Sequence, residues 1–121
     1  MTVADWTVVF AEAAANDLAL IEEHLVRAYR EFGESASDAR QHAAVRIDAI
    51  ITTAERLSTA PFRGEAQDDL LPGLRHLALD SAIYWFVPIS DIRKIQVLAI
   101  FFGAQDHQRH MLVRLLQRGA R

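Results

Sequence analysis

Arg75 and His76 are neighbouring residues whose side chains are suited to chemistry, and they lie in an otherwise apolar segment, residues 74–78. A guanidinium in such a segment can form a bidentate pair with a carboxylate or a phosphate. A structural ion pair between Arg75 and Asp80 or Asp69 accounts for the arginine equally well. Two roles therefore stay open for Arg75, an anion contact and an internal ion pair.

The end of the chain carries a second group of polar side chains. His107 and His110 have the spacing of an acid–base pair, but no further metal ligand or matching partner accompanies them, so ordinary surface histidines are the favoured interpretation. Two roles also stay open for four arginines in this part of the chain: they contact an acidic surface of a partner, or they only solvate a helix. They are Arg109, Arg114, Arg118 and Arg121.

The charge distribution argues against tight nucleic-acid binding. The net charge is −3; residues 1–59 carry −5, and residues 60–121 carry eight basic and six acidic groups. Affinity for a phosphate backbone depends on several clustered cations, and this sequence offers only a small surplus in one half. With no cysteine, there is neither a disulfide framework nor a thiolate zinc site. We expect no cofactor and no metal.

The length and composition predict a single domain over residues 1–121, since 51% apolar residues can form a core in a chain of this size. No apolar run approaches the roughly 20 residues needed to cross a bilayer. Residues 1–5 also lack the basic and apolar segments of a signal peptide. We therefore expect a cytoplasmic protein without membrane contact.

The first sixty residues predict one strand and two helices. Trp6, Val8 and Phe10 alternate as in a half-buried strand. An apolar stripe with helical spacing then predicts a helix over residues 11–32, which Gly33 ends. Ser35 can cap a second helix, whose stripe runs to about residue 57. A tight turn between the two helices makes them an antiparallel hairpin.

The rest of the chain predicts a small sheet. Residues 60–73 hold two prolines and two glycines and are predicted to form a loop. Strands over 74–79, 82–87 and 92–102 are joined by short turns, which favours an antiparallel meander. The last of them is nearly all apolar and should be an interior strand covered on both faces. Residues 106–118 have the spacing of a short amphipathic helix.

This order predicts an α+β fold in which the helical hairpin covers one face of a small, mainly antiparallel sheet, β-α-α-β-β-β with a short C-terminal helix. The order and spacing resemble the RelE/ParE superfamily of toxins from type II toxin–antitoxin modules, over about residues 6–112. The most telling pieces are Leu57, Pro61 and Gly64, then Pro72-Gly73-Leu74-Arg75, and finally Gly103-Ala104-Gln105-Asp106 after an apolar strand.

The resemblance implies one of two activities. RelE-like relatives cut messenger RNA on the ribosome with lysines and arginines on the middle strands and a C-terminal Tyr or His. Here the middle strands keep only Arg75 and His76, and the single lysine, Lys94, lies near a turn. ParE-like relatives lack that set and poison DNA gyrase by binding it. The Pro-Gly-Leu-Arg and Gly-Ala-Gln-Asp segments are closer to this branch. Phe102 and Val87 depart from it, since ParE-like chains often have a His and a basic residue there.

The resemblance also implies an antitoxin partner that is ParD-like, with a ribbon-helix-helix fold, in a hetero-oligomer. Tyr84 and Trp85 point to opposite faces of their strand, so one should enter the core while the other can stay on a surface. Together with Phe62 they are candidates for an apolar groove that an antitoxin segment fills. The alternative is that both aromatic residues only pack.

The leading hypothesis is a non-enzymatic, ParE-like toxin with Arg75, His76, His107, Arg109 and Arg114 as candidate target contacts. The second is a RelE-like endoribonuclease that uses Arg75, His76 and His107. The third is a remnant of the toxin fold that binds an antitoxin without toxicity.

Overall fold

The computed structural model describes residues 6–103 and 106–119, of which the side chains up to residue 117 are described. Arg121, the side chain of Arg118 and the middle of the Gly-Ala-Gln-Asp segment therefore lie outside the described residues. Within them, none of the helices combines the length and the apolar character needed to cross a membrane.

In the described residues, three helices and five strands make up the α+β fold that the sequence predicts. The helices are α1 (Glu12–Glu31), α2 (Ala36–Ala54), which continues into a short 3-10 helix (Glu55–Thr59), and α3 (His107–Gly119). The strands are β1 (Thr7–Phe10), β2 (Glu65–Ala66), β3 (Arg75–Leu79), β4 (Ala82–Ile89) and β5 (Lys94–Phe102). The two-residue strand β2 lies inside the predicted loop and escaped the sequence interpretation.

The sheet order is β1-β5-β4-β3-β2. Strands β2 to β5 pair antiparallel, and β1 pairs in parallel with β5. The predicted meander and the interior position of the last apolar strand are thus confirmed. The second helix of the hairpin, α2, begins where predicted: the Ser35 hydroxyl accepts the Asp38 backbone N–H at 3.1 Å as an N-cap.

One irregularity interrupts β5. Trp85 of β4 pairs with Ala99 and Phe86 pairs with Val97, so Leu98 has no partner on β4 and forms a β-bulge. Val97 and Ile100 pack toward the helical hairpin, while Leu98 and Ala99 both pack on the opposite side. The bulge therefore gives two consecutive residues to one face of the sheet.

Both faces of the sheet are covered. The larger cluster lies under α1 and α2 and includes Tyr84 and Phe86 of β4. The smaller cluster lies under α3 and comprises Leu74, Trp85, Leu98, Ala99 and Met111. Tyr84 and Trp85 do point to opposite faces, but each is 0% exposed. Of the two possibilities that the sequence left open, the structure shows the one in which both aromatic residues pack, because α3 covers the face that the hairpin leaves open.

Candidate functional site

The face of the sheet under α3 brings two histidines together around Trp85. The indole Nε1–H of Trp85 donates a hydrogen bond to Nδ1 of His107 at 3.1 Å. The ring of His76 lies 4.5 Å from the Trp85 ring and 5.0 Å from the His107 ring, centroid to centroid. We call Glu65, His76, Trp85 and His107 the histidine cluster.

The position of His76 depends on the loop that precedes β3. Gly64 has a φ of +93°, and a Cβ on it would lie 2.6 Å from the His76 carbonyl oxygen. Only glycine permits this close approach, which brings Glu65 of β2 beside His76. One carboxylate oxygen of Glu65 lies 3.8 Å from Nε2 of His76. A second neighbour, Gln67, lies with its amide nitrogen 3.2 Å from the same Nε2.

The electrostatics of His76 are those of a mostly buried imidazole. Its side chain is 11% exposed. Burial lowers the pKa of His76 below its ordinary value of 6.5; the Glu65 carboxylate acts in the opposite direction, and His107 adds to the lowering. The neutral ring is therefore the favoured form in the folded chain near neutral pH.

Arg75 does not form the ion pair considered from the sequence. Its Nε–H donates to the Arg63 carbonyl oxygen at 3.0 Å, and its Nη2 donates to the Gly64 carbonyl oxygen at 3.2 Å. Asp80 instead lies 3.8 Å from Arg56. The guanidinium of Arg75 thus fastens the loop before β2 and keeps further N–H groups for an anion.

Arg114 is part of an internal ion pair and not of an exposed contact surface. Its Nη1 and Nη2 donate to the two carboxylate oxygens of Asp17 on α1 at 2.9 and 2.8 Å. This bidentate bond raises the pKa of Arg114 against the lowering effect of burial. Arg114, a candidate target contact from the sequence, thus has its charge balanced within the chain by Asp17, which is 7% exposed.

The same pair satisfies the open edge of β5 beyond the end of β1. The Ile100 backbone N–H donates to Asp17 at 2.9 Å, and Nη1 of Arg114 donates to the Leu98 carbonyl oxygen at 3.3 Å. Two side chains thus occupy the place of a neighbouring strand and join α1, β5 and α3. We call this arrangement the edge clamp. Clefts of about 410 and 370 Å³ lie on its two sides.

The remaining predicted residues are spread over the surface. Arg109 is exposed on α3, and His110 is exposed with its ring 5.9 Å from that of Phe101. Phe62 is 53% exposed and contacts the edge of Trp6 at 5.6 Å between ring centroids. Because Tyr84 and Trp85 are buried on opposite faces, these two and Phe62 do not line one open groove.

Two toxin–antitoxin assemblies have chains with the same architecture. A chain of the chromosomal ParDE toxin–antitoxin system from P. aeruginosa aligns with a TM-score of 0.63 and 20% sequence identity, over 84% of this chain and 99% of that chain. A chain of the RelBE2 toxin–antitoxin complex from Mycobacterium tuberculosis aligns with a TM-score of 0.56 and 16% identity, over 83% and 93%. This chain has the RelE/ParE-like fold. No protein-family model matches the sequence, and no curated protein matches it.

Of the three residues in the endoribonuclease hypothesis, the RelE/ParE-like fold brings His76 and His107 together but not Arg75. Arg75 and His76 are consecutive in β3, so their side chains leave opposite faces of the sheet. His107 reaches His76 only because α3 folds back over the sheet, and no periodicity in the sequence predicts that direction. The edge clamp joins residues 97 positions apart, although an aspartate inside the apolar stripe of α1 was a signal for a buried partner.

Proposed function

We propose that this chain is the toxin of a type II toxin–antitoxin module, that it inhibits growth by binding a protein target, DNA gyrase, and that it is not an enzyme. The observation that carries the proposal is the match of nearly the whole chain to chains of ParDE and RelBE2 assemblies. The partner we propose is a ParD-like, ribbon-helix-helix antitoxin encoded in a short reading frame beside the toxin gene.

The placement of the cations supports binding over catalysis. Cleavage of a phosphodiester needs a proton acceptor, a proton donor and a cation around one phosphate. Arg75 leaves the opposite face of β3 from His76, and Arg114 is neutralised by Asp17. Lys94 begins β5, whereas Trp85 of the histidine cluster pairs with Ala99, five residues further along that strand. These cations do not converge on the histidine cluster.

The test is inhibition of purified gyrase. We expect the chain to block supercoiling, and its expression in a bacterial host without the antitoxin to arrest growth with signs of DNA damage. Arg109→Ala, in an exposed residue of α3, should weaken the inhibition roughly tenfold if that side chain contacts the target. Arg40→Ala is the matched control, since Arg40 is equally exposed but lies on α2. Undiminished supercoiling at high toxin concentration would contradict the proposal.

One observation favours a second function, a ribosome-dependent endoribonuclease. The rings of His76 and His107 lie 5.0 Å apart, close enough to act as a proton acceptor and donor on one substrate. Primer extension on translated messages tests this. Codon-phased cuts that disappear in both His76→Ala and His107→Ala, but persist in His110→Ala, would replace the gyrase proposal.

A third outcome has its own readout. Tight binding to the antitoxin without growth arrest, supercoiling inhibition or RNA cleavage would identify the chain as a non-toxic remnant of the fold. Isothermal titration of the purified chain with the neighbouring antitoxin measures that binding directly.

A further inference from the structure

The polar contacts at the first turn of α3 use both histidines as hydrogen-bond acceptors. An indole N–H only donates, so Nδ1 of His107 accepts the bond from Trp85. The amide nitrogen of Gln67 donates to Glu65 at 3.2 Å and lies 3.2 Å from Nε2 of His76, which accepts in turn. An imidazole nitrogen accepts only while it carries no proton. The arrangement therefore fits two neutral rings.

A proton on either ring conflicts with these contacts. An imidazolium carries hydrogen on both nitrogens, so a protonated His107 points a donor at the Trp85 N–H. The buried indole then lacks an acceptor, which is costly in an enclosed site. Two protonated rings would also place like charges 5.0 Å apart.

The surrounding charges compensate little. Glu65 is the carboxylate nearest to His76, but its side chain is 67% exposed, so solvent screens its attraction. Asp106, which precedes α3, and Arg109 and His110 of α3 are exposed to solvent. Arg114 is already paired with Asp17. Burial lowers the pKa of His76, in keeping with a ring held neutral.

We propose that the first turn of α3 is a proton-sensitive latch, held on the sheet by neutral His76 and His107 and released when this pair is protonated. The edge clamp retains the following turns, so acid frees only the beginning of the helix and exposes the edge of Trp85. This inference concerns the conformation of the chain and does not depend on its target.

The test uses Trp85 as a reporter. The chain has two tryptophans, and Trp6 packs against Phe62 away from α3. In Trp6→Phe, Trp85 is therefore the one remaining tryptophan, and its surroundings are unchanged. Between about pH 8 and about pH 5, we expect the emission of Trp85 to shift to the red and its quenching by acrylamide to increase. The released population should rise roughly fivefold, as expected for the loss of one hydrogen bond, with unchanged far-ultraviolet circular dichroism.

Variants in the Trp6→Phe background assign the change to the histidines. His107→Gln keeps an acceptor without a titrating ring, so the acid-induced change should decrease strongly, and His76→Gln/His107→Gln should abolish it. His110→Gln is the matched control on the same helix and should retain the change.

Three results would overturn the proposal: a flat emission profile in the Trp6→Phe chain, a full transition in the double histidine variant, or loss of circular dichroism together with the emission change, which is global unfolding. Should the histidine variants fail to fold, the test is the pH dependence of the Trp85 indole N–H resonance, measured by NMR in the Trp6→Phe chain. This resonance must shift with the same midpoint as the His107 ring, and independent midpoints reject the latch.

Discussion

The two faces of the sheet are covered by structures of different strength. The hairpin face carries helices of 20 and 19 residues over a continuous apolar cluster. The other face carries the 13-residue α3, which adds Met111 to a cluster with four buried residues of the sheet side, and the edge clamp and the histidine cluster lie beside it. Apolar packing holds the helical hairpin on its face of the sheet. On the other face, apolar packing under α3 is smaller and is supplemented by a few polar contacts. Local opening at low energy is therefore expected at α3 and not at the hairpin.

Breaking the edge clamp should have the largest effect. In Arg114→Ala, the Asp17 carboxylate stays buried without its counter-charge, which costs about 3 to 5 kcal/mol of unfolding free energy. Urea denaturation measures the loss. Arg109→Ala, an exposed arginine on the same helix, should change stability by less than about 0.5 kcal/mol. Equal effects of the two substitutions would mean that the clamp contributes nothing.

A cavity under the hairpin should be nearly as damaging, but on the other face. Ile50 is 4% exposed in α2, and Ile50→Ala should cost about 2 to 4 kcal/mol. The emission of Trp85 in the Trp6→Phe background should stay unchanged in native buffer, because α3 packs elsewhere. Val45→Ala is the control on α2, since Val45 is 60% exposed. A change of Trp85 emission in Ile50→Ala would show that the two covers are coupled.

The buried hydroxyl of Tyr84 gives a smaller and pH-dependent effect. It donates to the Ile50 carbonyl oxygen at 2.7 Å, and Tyr84→Phe should cost about 1 kcal/mol. Burial raises the pKa of Tyr84 to about 12. Its contribution to stability is therefore complete below the ordinary value of 10 and is lost as the pH rises from there toward 12. In Tyr29→Phe, where Tyr84 is the one remaining tyrosine, tyrosinate absorbance should appear near the higher value. A midpoint near 10 would contradict the burial.

The smallest expected effect is the response of stability to mild acid. Because burial lowers the pKa of His76 in the folded chain, the unfolded chain binds a proton more readily. Unfolding free energy should therefore decrease as the pH falls below about 6.5. His76→Gln should flatten this slope, while His24→Gln, in an exposed residue of α1, should not. An unaltered slope in His76→Gln would assign the acid sensitivity to other groups.

The fold was predictable because its signals are local. Apolar spacing gave α1, α2 and the order of the strands, and the run from Ile95 to Phe102 correctly predicted an interior strand. The two-residue strand β2 was missed, since Glu65 and Ala66 carry no alternation and pair only because Gly64 lets the loop approach β3. Short pairings of this kind depend on tertiary contact and not on propensity.

The site was less predictable because its partners are distant in sequence. The sequence offered two roles for Arg75, but its observed partners are backbone carbonyls, which no side-chain pattern reveals. The sequence placed Arg114 and His107 together on a solvated tail helix. In the fold, Arg114 binds Asp17 at the edge of the sheet, and His107 accepts a hydrogen bond from Trp85. The direction in which α3 folds back decides both roles.

The bulge at Leu98 makes the docking of α3 sensitive to the deletion of one residue from β5. If Leu98 were deleted, β5 would alternate regularly, and all its remaining side chains would keep their present faces. The Leu98 side chain and the carbonyl oxygen to which Arg114 donates would be lost. The sheet and the helical hairpin would lose few contacts, whereas α3 would lose an apolar residue on which it packs and a hydrogen bond. The docking of a whole helix thus depends on one inserted residue in the strand beneath it.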